Sequence, residues 1–323
     1  MRLARAIAVS SLMLAAPAAP GLAQGKQVCA NPDALGVART VEVDTTGGPG
    51  FGLEQYKQYD FLVLKEVVLT FDDGPWPVNT RAVLDALAQQ CVKAVFFPIG
   101  KHALWHPEIL KEVAAAGHTI GGHTWSHASL AGGGKSRPRR GEKKAEPEQA
   151  MSSRTIEEIE KGFSAVKLAL GADPAPFFRF PYLKDPKEAV EYLGSRNVAI
   201  FSHDLDSFDF KMHKPEDVVK SVMTKLERKG KGIILMHDFQ QATAKAVPTI
   251  LSELKAKGYK VVHMRAKASL ATLPQWDEAA KAEIKGNIAT DRPVSSVIRT
   301  IEEEPAAQAV TAGTNPSAAT SKK

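Results

Sequence analysis

Acidic and imidazole side chains follow the ends of apolar runs at two points in this sequence. Asp72 and Asp73 directly follow the first such run, and His123 and His127 follow the third. Adjacent carboxylates repel each other unless a cation or a proton neutralises one of them. Two imidazoles and one carboxylate are the donor set of a catalytic zinc ion or a related metal, with positions left for water and substrate. The pattern therefore predicts a metal centre with a second, free carboxylate beside it.

Each of these two motifs also has a plainer interpretation. Asp-Asp-Gly-Pro is a common solvated turn, and two histidines four residues apart are often unrelated. If the segment 123–127 turns helically, however, both imidazoles lie on one face. Because both motifs follow predicted strands, the fold is expected to bring them to the same end of a sheet.

Three further apolar runs end in ionisable side chains. Arg179 belongs to the fourth run, where a buried guanidinium needs a carboxylate partner. The acids Asp204, Asp206 and Asp209 follow the fifth run, and His237 follows the sixth at the position of a catalytic acid. An edge arginine, a polar loop and a satisfied buried histidine are the ordinary alternatives. Five such strand ends together favour a functional site.

Short apolar runs alternate with helical patterns over most of the chain. The runs predict seven buried strands, at Val67–Phe71, Ala94–Ile99, Thr119–Gly122, Phe177–Phe180, Val198–Ser202, Gly232–Met236 and Lys260–Met264. Helical spacing of apolar residues predicts helices at Thr80–Gln90, Pro107–Ala116, Thr155–Leu170, Pro215–Lys229 and Ala246–Lys257. This alternation predicts an α/β fold with a parallel sheet, either an open doubly wound sheet or a closed barrel.

The amino-terminal segment is typical of a secretory signal. Arg2 and Arg5 precede the apolar run Ala6–Ala16, and small residues follow as far as Ala23. The run is too short for a comfortable membrane span, although an uncleaved anchor is the alternative. We therefore expect export to the periplasm or the exterior, with residues 1–23 as the signal peptide and no stable membrane span after cleavage.

The remaining segments are divided by composition. Residues 24–66 are interpreted as an amino-terminal extension and residues 67–265 as the catalytic domain. Ala131–Ala150 is rich in Gly, Lys, Arg, Glu and Pro and predicts an exposed insertion. Residues 266–323 are interpreted as a partly disordered tail, since the end from Glu302 is rich in Ala, Thr, Ser and Pro.

Composition and charge limit the classes of partner. The chain has 323 residues, is 44% hydrophobic and carries a formal net charge of +6, which fits either an ordinary basic surface or an anionic partner. It shows no zinc-finger spacing and no basic platform interleaved with aromatic residues, so we expect no nucleic-acid partner. Cys29 and Cys91 could form a disulfide in an oxidising compartment or remain as two thiols.

Taken together, the motifs resemble the polysaccharide deacetylases, also called carbohydrate esterase family 4 or NodB-homology enzymes. The matching segments are Thr70-Phe71-Asp72-Asp73-Gly74-Pro75, His123-Thr124-Trp125-Ser126-His127, Arg179-Phe180-Pro181-Tyr182, Asp206-Ser207-Phe208-Asp209-Phe210 and Ile234-Leu235-Met236-His237-Asp238. The resemblance covers roughly residues 65–265. It implies a distorted (β/α) barrel of about seven parallel strands.

The resemblance also implies a role for each residue around the metal. Asp72 is expected to be the general base, and Asp73, His123 and His127 the metal ligands. Arg179 is expected to orient Asp72 and stabilise its charge. Zinc is the first expectation for the ion, with cobalt, manganese and nickel as alternatives.

The remaining roles concern the oxyanion and the leaving group. The backbone N–H of Tyr182 is expected to stabilise the oxyanion, and His237 to act as general acid. By alignment Asp209 would hold His237, with Asp206 as the alternative. Phe210 and Met236 replace the usual tryptophan and leucine, and both are expected to keep an apolar wall beside the acetyl pocket.

The implied reaction is hydrolysis of N-acetyl groups on amino-sugar units of a polysaccharide, with O-acetyl groups as an alternative target. Peptidoglycan, chitin-like oligomers and an exopolysaccharide are all open as substrates. A non-catalytic glycan-binding module on the same scaffold and a metal-dependent amidase for small molecules are the alternatives. The oligomeric state cannot be inferred from the sequence.

Overall fold

The computed structural model describes residue 29, residues 31–131 and residues 152–288. The predicted signal peptide, the predicted insertion beyond Ala131 and the predicted disordered end therefore lie outside the described residues. One compact unit extends to Ala282. Of the second unit, which begins at Glu283, the structure describes the end of one helix.

Ten strands form within the described ranges. They are β1 (Val37–Val43), β2 (Gly50–Phe51), β3 (Glu66–Asp73), β4 (Val95–Pro98), β5 (Thr119–Ile120), β6 (Phe177–Phe178), β7 (Ala199–Phe201), β8 (Leu205–Asp206), β9 (Gly232–His237) and β10 (Lys260–Ala266). All seven predicted strands are confirmed, and β1, β2 and β8 are additional. Seven strands belong to one sheet and three to another, and all of their pairings are parallel.

Eight α-helices form in the same ranges. They are α1 (Asn79–Gln89), α2 (Gly100–Trp105), α3 (Pro107–Ala115), α4 (Ser153–Leu170), α5 (Lys187–Ser195), α6 (Pro215–Lys229), α7 (Gln241–Ala256) and α8 (Pro274–Ile288). The five predicted helices are confirmed within a few residues, and α2, α5 and α8 are additional. None of the described helices combines the length and apolarity that a bilayer span requires.

The α/β class and the parallel strands are confirmed, whereas a closed barrel is not seen in the strand pairings. An isolated bridge between Gly122 and Phe178 links the two sheets. No ladder joins β7 to β8 among the described strands. At this position the buried Asp204 carboxylate accepts hydrogen bonds from the backbone N–H groups of Leu53 (2.7 Å) and Ile233 (2.6 Å). A side chain therefore satisfies backbone groups that no ladder pairs.

The strand β3 lies in the middle of the core. All eight of its residues are buried, as expected for a parallel strand covered on both faces. Leu69 and Phe71 pack in the apolar cluster that contains residues of α1, α6 and α7, while Val68 packs in a second cluster with residues of β4 and β7. Both faces of β3 are thus fixed by packing, which holds Asp72 and Asp73 at its carboxyl end.

A disulfide joins Cys29 to Cys91 and ties the amino-terminal segment to the turn after α1. It closes a loop with a sequence separation of 62 residues, which restricts the unfolded chain. We expect the Cys29→Ser/Cys91→Ser protein to lose about 2–4 kcal/mol of unfolding free energy. Urea denaturation would measure this loss, and the parent protein in dithiothreitol should match the variant. Equal stability of the oxidised and reduced parent protein would contradict the prediction.

Candidate active site

The general base and general acid of the expected mechanism lie on adjacent strands. Asp72 at the end of β3 pairs in register with His237 at the end of β9. On the other side of β3, Asp72 pairs with Phe97 of β4. The two ionisable groups therefore lie at the carboxyl ends of their strands, as predicted, and the pairing shows in addition that the two strands are neighbours.

The two histidines that are expected to bind the metal lie on the loop after β5, and this loop is not helical. Thr124 and His127 have left-handed backbone φ angles of 62° and 60°. The loop is held against α4, because the N–H of Trp125 donates to the Glu158 carbonyl (2.7 Å) and the N–H of Ser126 to the Glu158 carboxylate (2.9 Å). The expectation that a helical turn aligns the imidazoles is wrong, since the loop backbone bonds to α4 rather than to itself.

The loop nevertheless brings both imidazoles to Asp73. The Oδ1 atom of Asp73 lies 3.3 Å from Nε2 of His123 and 3.4 Å from Nε2 of His127. The three ligand atoms all lie within 4.8 Å of one another. Two ligands of one tetrahedral zinc ion, each about 2.0–2.2 Å from it, stand roughly 3.3–3.5 Å apart. The two short separations fit this geometry.

Hydrogen bonding at this cluster is incomplete without a cation. The Oδ1 atom of Asp73 is buried and has no hydrogen-bond partner among the described residues. Nδ1 of His123 lies 2.7 Å from the carbonyl of Arg179, which can only accept, so Nδ1 carries the hydrogen and the lone pair of Nε2 faces Asp73. An unpartnered buried carboxylate beside a free imidazole lone pair is costly unless a cation binds both.

The protonation states also suit metal binding. Burial lowers the pKa of His127, and the neighbouring His123 lowers it further, which keeps the ring neutral. Burial alone would raise the pKa of Asp73, but the nearby imidazoles of His123 and His237 outweigh it and hold the pKa below its ordinary value. A neutral imidazole and an ionised carboxylate are the forms that bind a divalent ion.

Arg179 connects the carboxylate of Asp72 to His123, one of the expected metal ligands. Its buried side chain donates from Nη1 to Asp72 Oδ1 at 2.7 Å and to Thr70 Oγ1 at 2.8 Å, and from Nη2 to the Ser202 carbonyl at 2.7 Å. Its own carbonyl accepts from His123. The structure thus places the guanidinium where a buried Asp72 needs a counter-charge, and one residue orients both the carboxylate and a ligand.

His237 pairs with Asp209 and not with Asp206. Nδ1 of His237 lies 2.6 Å from Asp209 Oδ1, while the other Asp209 oxygen accepts from the His237 N–H (2.7 Å) and the Thr243 hydroxyl (2.5 Å). Asp206 instead accepts from the backbone N–H of Phe208. Burial lowers the pKa of His237, but the hydrogen bond and charge of Asp209 outweigh it and raise the pKa to about 10. His237 is therefore protonated at neutral pH.

Removal of the Asp209 charge is expected to shift the pH dependence of the reaction. In the Asp209→Asn protein the pKa of His237 falls, so the protonated fraction is lost at lower pH. The alkaline limb of kcat/KM should move toward neutrality, with a loss of about 10²-fold on the alkaline side. Profiles of kcat/KM against pH would test this. The Thr243→Val protein keeps the Asp209 charge, so its alkaline limb should stay at the pH of the parent protein. An alkaline limb that does not move in Asp209→Asn would contradict the assignment of Asp209 as the partner of His237.

The other site residues lie around the same centre. Tyr182 sits in a 3-10 turn with a left-handed φ of 58°, and its ring centroid is 4.7 Å from that of His127. The Phe210 ring lies 5.7 Å from the His237 ring, edge to face. Met236 does not line the site as expected, because it packs in the core with residues of α7. Alternation along β9 places Leu235 on the same face as His237.

Two positioning residues were not assigned a role from the sequence. The buried Asp238 accepts from the Gly74 N–H (3.1 Å) and the Thr80 hydroxyl (2.6 Å), and burial raises its pKa to about 7. A side chain at position 74 would collide with this carboxylate, which explains the glycine. Nδ1 of His102 lies 2.7 Å from the Asp73 carbonyl. Both residues hold the turn after Asp73. The only sign of this role in the sequence is the position of Asp238 directly after His237.

Comparison with known proteins supports the resemblance to polysaccharide deacetylases. A family model for polysaccharide deacetylases matches residues 64–199. The chain is 32% identical over 220 residues to a peptidoglycan-N-acetylglucosamine deacetylase of Bacillus cereus. This alignment spans 67% of this chain and 70% of the relative. It is 31% identical over 198 residues to the peptidoglycan-N-acetylglucosamine deacetylase PgdA of Listeria monocytogenes, a match over 61% of this chain and 38% of that protein.

A solved structure shows the same architecture. The peptidoglycan deacetylase Bd3279 of Bdellovibrio bacteriovorus aligns with a TM-score of 0.59 and 32% identity, over 71% of this chain and 59% of its own. The alignment with the Bacillus cereus relative covers more than two thirds of each protein at over 30% identity. The chain therefore belongs to the polysaccharide deacetylase family.

Proposed function

We propose that this protein is a metal-dependent hydrolase that removes N-acetyl groups from amino-sugar units of a polysaccharide. The observation that carries the proposal is the buried, unpartnered Asp73 Oδ1 between two imidazoles, with the Arg179-paired Asp72 beside it. Asp73, His123 and His127 would hold the ion, with zinc as the first expectation. A bound divalent ion would polarise the acetyl carbonyl and lower the pKa of water.

The chain itself supplies the proton transfers. Asp72 takes a proton from the attacking water, since its carboxylate is outside the proposed ligand set and is fixed by Arg179. The backbone N–H of Tyr182 stabilises the oxyanion, an interaction that is typically worth roughly 3–4 kcal/mol. His237, protonated because of Asp209, then donates a proton to the departing amine. The two Asp residues have different tasks because only Asp73 binds the ion.

Peptidoglycan is the first substrate to test. The relatives from Bacillus cereus, Listeria monocytogenes and Bdellovibrio bacteriovorus are all named peptidoglycan deacetylases. The predicted signal peptide would deliver this protein to the compartment that contains such a polymer. Chitin-like oligomers and an exopolysaccharide are alternatives, since each carries the same N-acetyl group.

Acetate release from a panel of acetylated glycans, with and without a chelator, tests the proposal. We expect release from peptidoglycan, its loss after complete metal removal, and its recovery when zinc is added back. Unchanged release from the metal-free protein would overturn metal dependence. Glycan binding without release would favour a binding module, and release from small N-acetyl compounds alone would favour an amidase.

A further inference from the structure

The active site has an aromatic surface at its rim that the proposed mechanism does not use. It consists of the rings of Trp76, His102, Trp105 and His106, and is here called the aromatic ridge. Trp76 is 37% exposed and Trp105 is 50% exposed. Contiguous exposed apolar surface beside a functional site is typical of a surface that binds a ligand.

The rings of the aromatic ridge are held in place by one another. The ring centroids of Trp76 and His102 are 5.2 Å apart, those of Trp76 and His106 are 5.7 Å apart, and those of His102 and Trp105 are 5.1 Å apart. The backbone N–H of Trp76 also donates to the Thr80 hydroxyl at 2.7 Å. A surface organised in advance loses little side-chain entropy when a ligand binds to it.

The aromatic ridge is continuous with the proposed metal centre. Nδ1 of His102 donates to the Asp73 carbonyl at 2.7 Å, so the ridge is bonded directly to the residue expected to bind the ion. The ridge lies on the β4 side of β3, because α2 directly follows β4, whereas His237 lies on the β9 side.

Exposed rings are also present on the opposite side of the site. Phe208 and Phe210 are both exposed, and Phe210 contacts His237 edge to face. Aromatic side chains therefore flank Asp72 on both sides, across neighbouring strand ends. A surface of this form suits a ligand longer than one sugar unit that lies across the strand ends.

We infer that the aromatic ridge is an outer sugar subsite, where a pyranose ring beyond the unit being deacetylated stacks its C–H face on the exposed indoles. This inference rests on the proposed function. A pyranose has an apolar, uncharged face, and the negative face of an aromatic ring attracts its polarised C–H groups. The subsite would make the enzyme prefer long glycan chains to short ones.

Steady-state kinetics on N-acetylglucosamine oligomers from the dimer to the hexamer, with the metal-loaded enzyme, test the subsite. In Trp105→Ala we expect KM for the hexamer to rise about tenfold, with kcat within about twofold. The change should shrink as the oligomer shortens, so the preference for long chains is lost. Trp105→Phe should keep most of the preference for long chains, since a phenyl ring can still stack on a sugar ring.

Leu64→Ala is the matched control. Leu64 is 72% exposed and precedes the start of β3, at the opposite end from Asp72, so its removal truncates an exposed apolar side chain away from the site. We expect the parent values of KM at every oligomer length. A Trp105→Ala protein with unchanged KM for the hexamer, or with the same rise for dimer and hexamer, would overturn the inference.

Calorimetric titration with the N-acetylglucosamine hexamer separates the subsite from the reaction. It would be done in Asp72→Asn, where turnover is expected to be minimal. Adding Trp105→Ala to this protein should weaken hexamer binding about tenfold, and unchanged binding would overturn the subsite. If the parent enzyme released no acetate from any glycan, the proposed function would fail, but this titration would still decide whether the ridge binds sugar.

Discussion

The Asp72→Asn protein is expected to keep its fold and its metal while kcat falls by about 10³-fold. Asparagine retains an oxygen that can accept from Nη1 of Arg179, now 2.7 Å from Asp72 Oδ1, so the buried guanidinium keeps a partner. An amide cannot take a proton from water at neutral pH, however. Acetate release and metal content measured on the same sample test both halves of the expectation.

The matched control for this variant is Asp206→Asn. Asp206 lies on β8 of the same sheet, but its carboxylate accepts from the Phe208 backbone and not from His237. We expect its turnover to stay within about twofold of the parent value. Near-normal turnover in Asp72→Asn would remove the base assignment. Loss of metal from that variant would show that Asp72 is itself a ligand.

The His123→Ala/His127→Ala protein is expected to lose stoichiometric binding of a divalent ion. Four-ligand zinc sites contribute roughly 10–16 kcal/mol in total, so removal of two imidazoles should weaken binding by about 10³-fold or more. Asp73 would remain as a lone buried carboxylate, and turnover should fall to background. Titration with zinc, followed by competition with a chromophoric chelator, measures the change in affinity.

The surface variant His213→Ala controls for the general loss of a histidine. His213 is exposed, and it lies outside the Asp73 cluster. We expect the parent affinity for zinc and the parent turnover. Tight one-to-one binding in the double histidine variant, with a normal melting curve, would refute the proposed ligand set.

The sequence predicted the elements that carry a strong period. The strands of the main core are continuous apolar runs, and five helices show a clear apolar stripe, so both could be located. The convergence of Asp72, Asp73, His123 and His127 followed from parallel strand order alone. The carboxyl ends of the strands in one parallel sheet must lie on the same side, and the packing of both faces of β3 holds Asp72 and Asp73 there.

Three of the six additional elements are too short to show such a period, whereas β1, α5 and α8 are longer and were missed. Gly50–Phe51 and Leu205–Asp206 are two-residue strands, which are too short to show alternation. Gly100–Trp105 has six residues, fewer than two turns. These segments form because of tertiary contacts with neighbouring elements, which no local pattern records.

The site shows the same division between pattern and contact. The types of ligand could be inferred from spacing, but the left-handed backbone at Thr124 and His127 could not, because it depends on hydrogen bonds to Glu158 on α4. Likewise, the family resemblance favoured Asp209 over Asp206 as the partner of His237, and the hydrogen bonds of the two carboxylates decide between them. Residue types identified the chemistry, and long-range contacts determined which atoms meet.

The parallel pairing of β1 with β10 has a practical consequence for anyone who expresses the domain in shortened form. A fragment that starts at residue 67, where the apolar pattern begins, would remove a strand that pairs with β10 from Val37 to Val43. The exposed edge of β10 would then be free to recruit strands from other copies. Recombinant fragments should therefore begin before Val37, or they are expected to aggregate during purification.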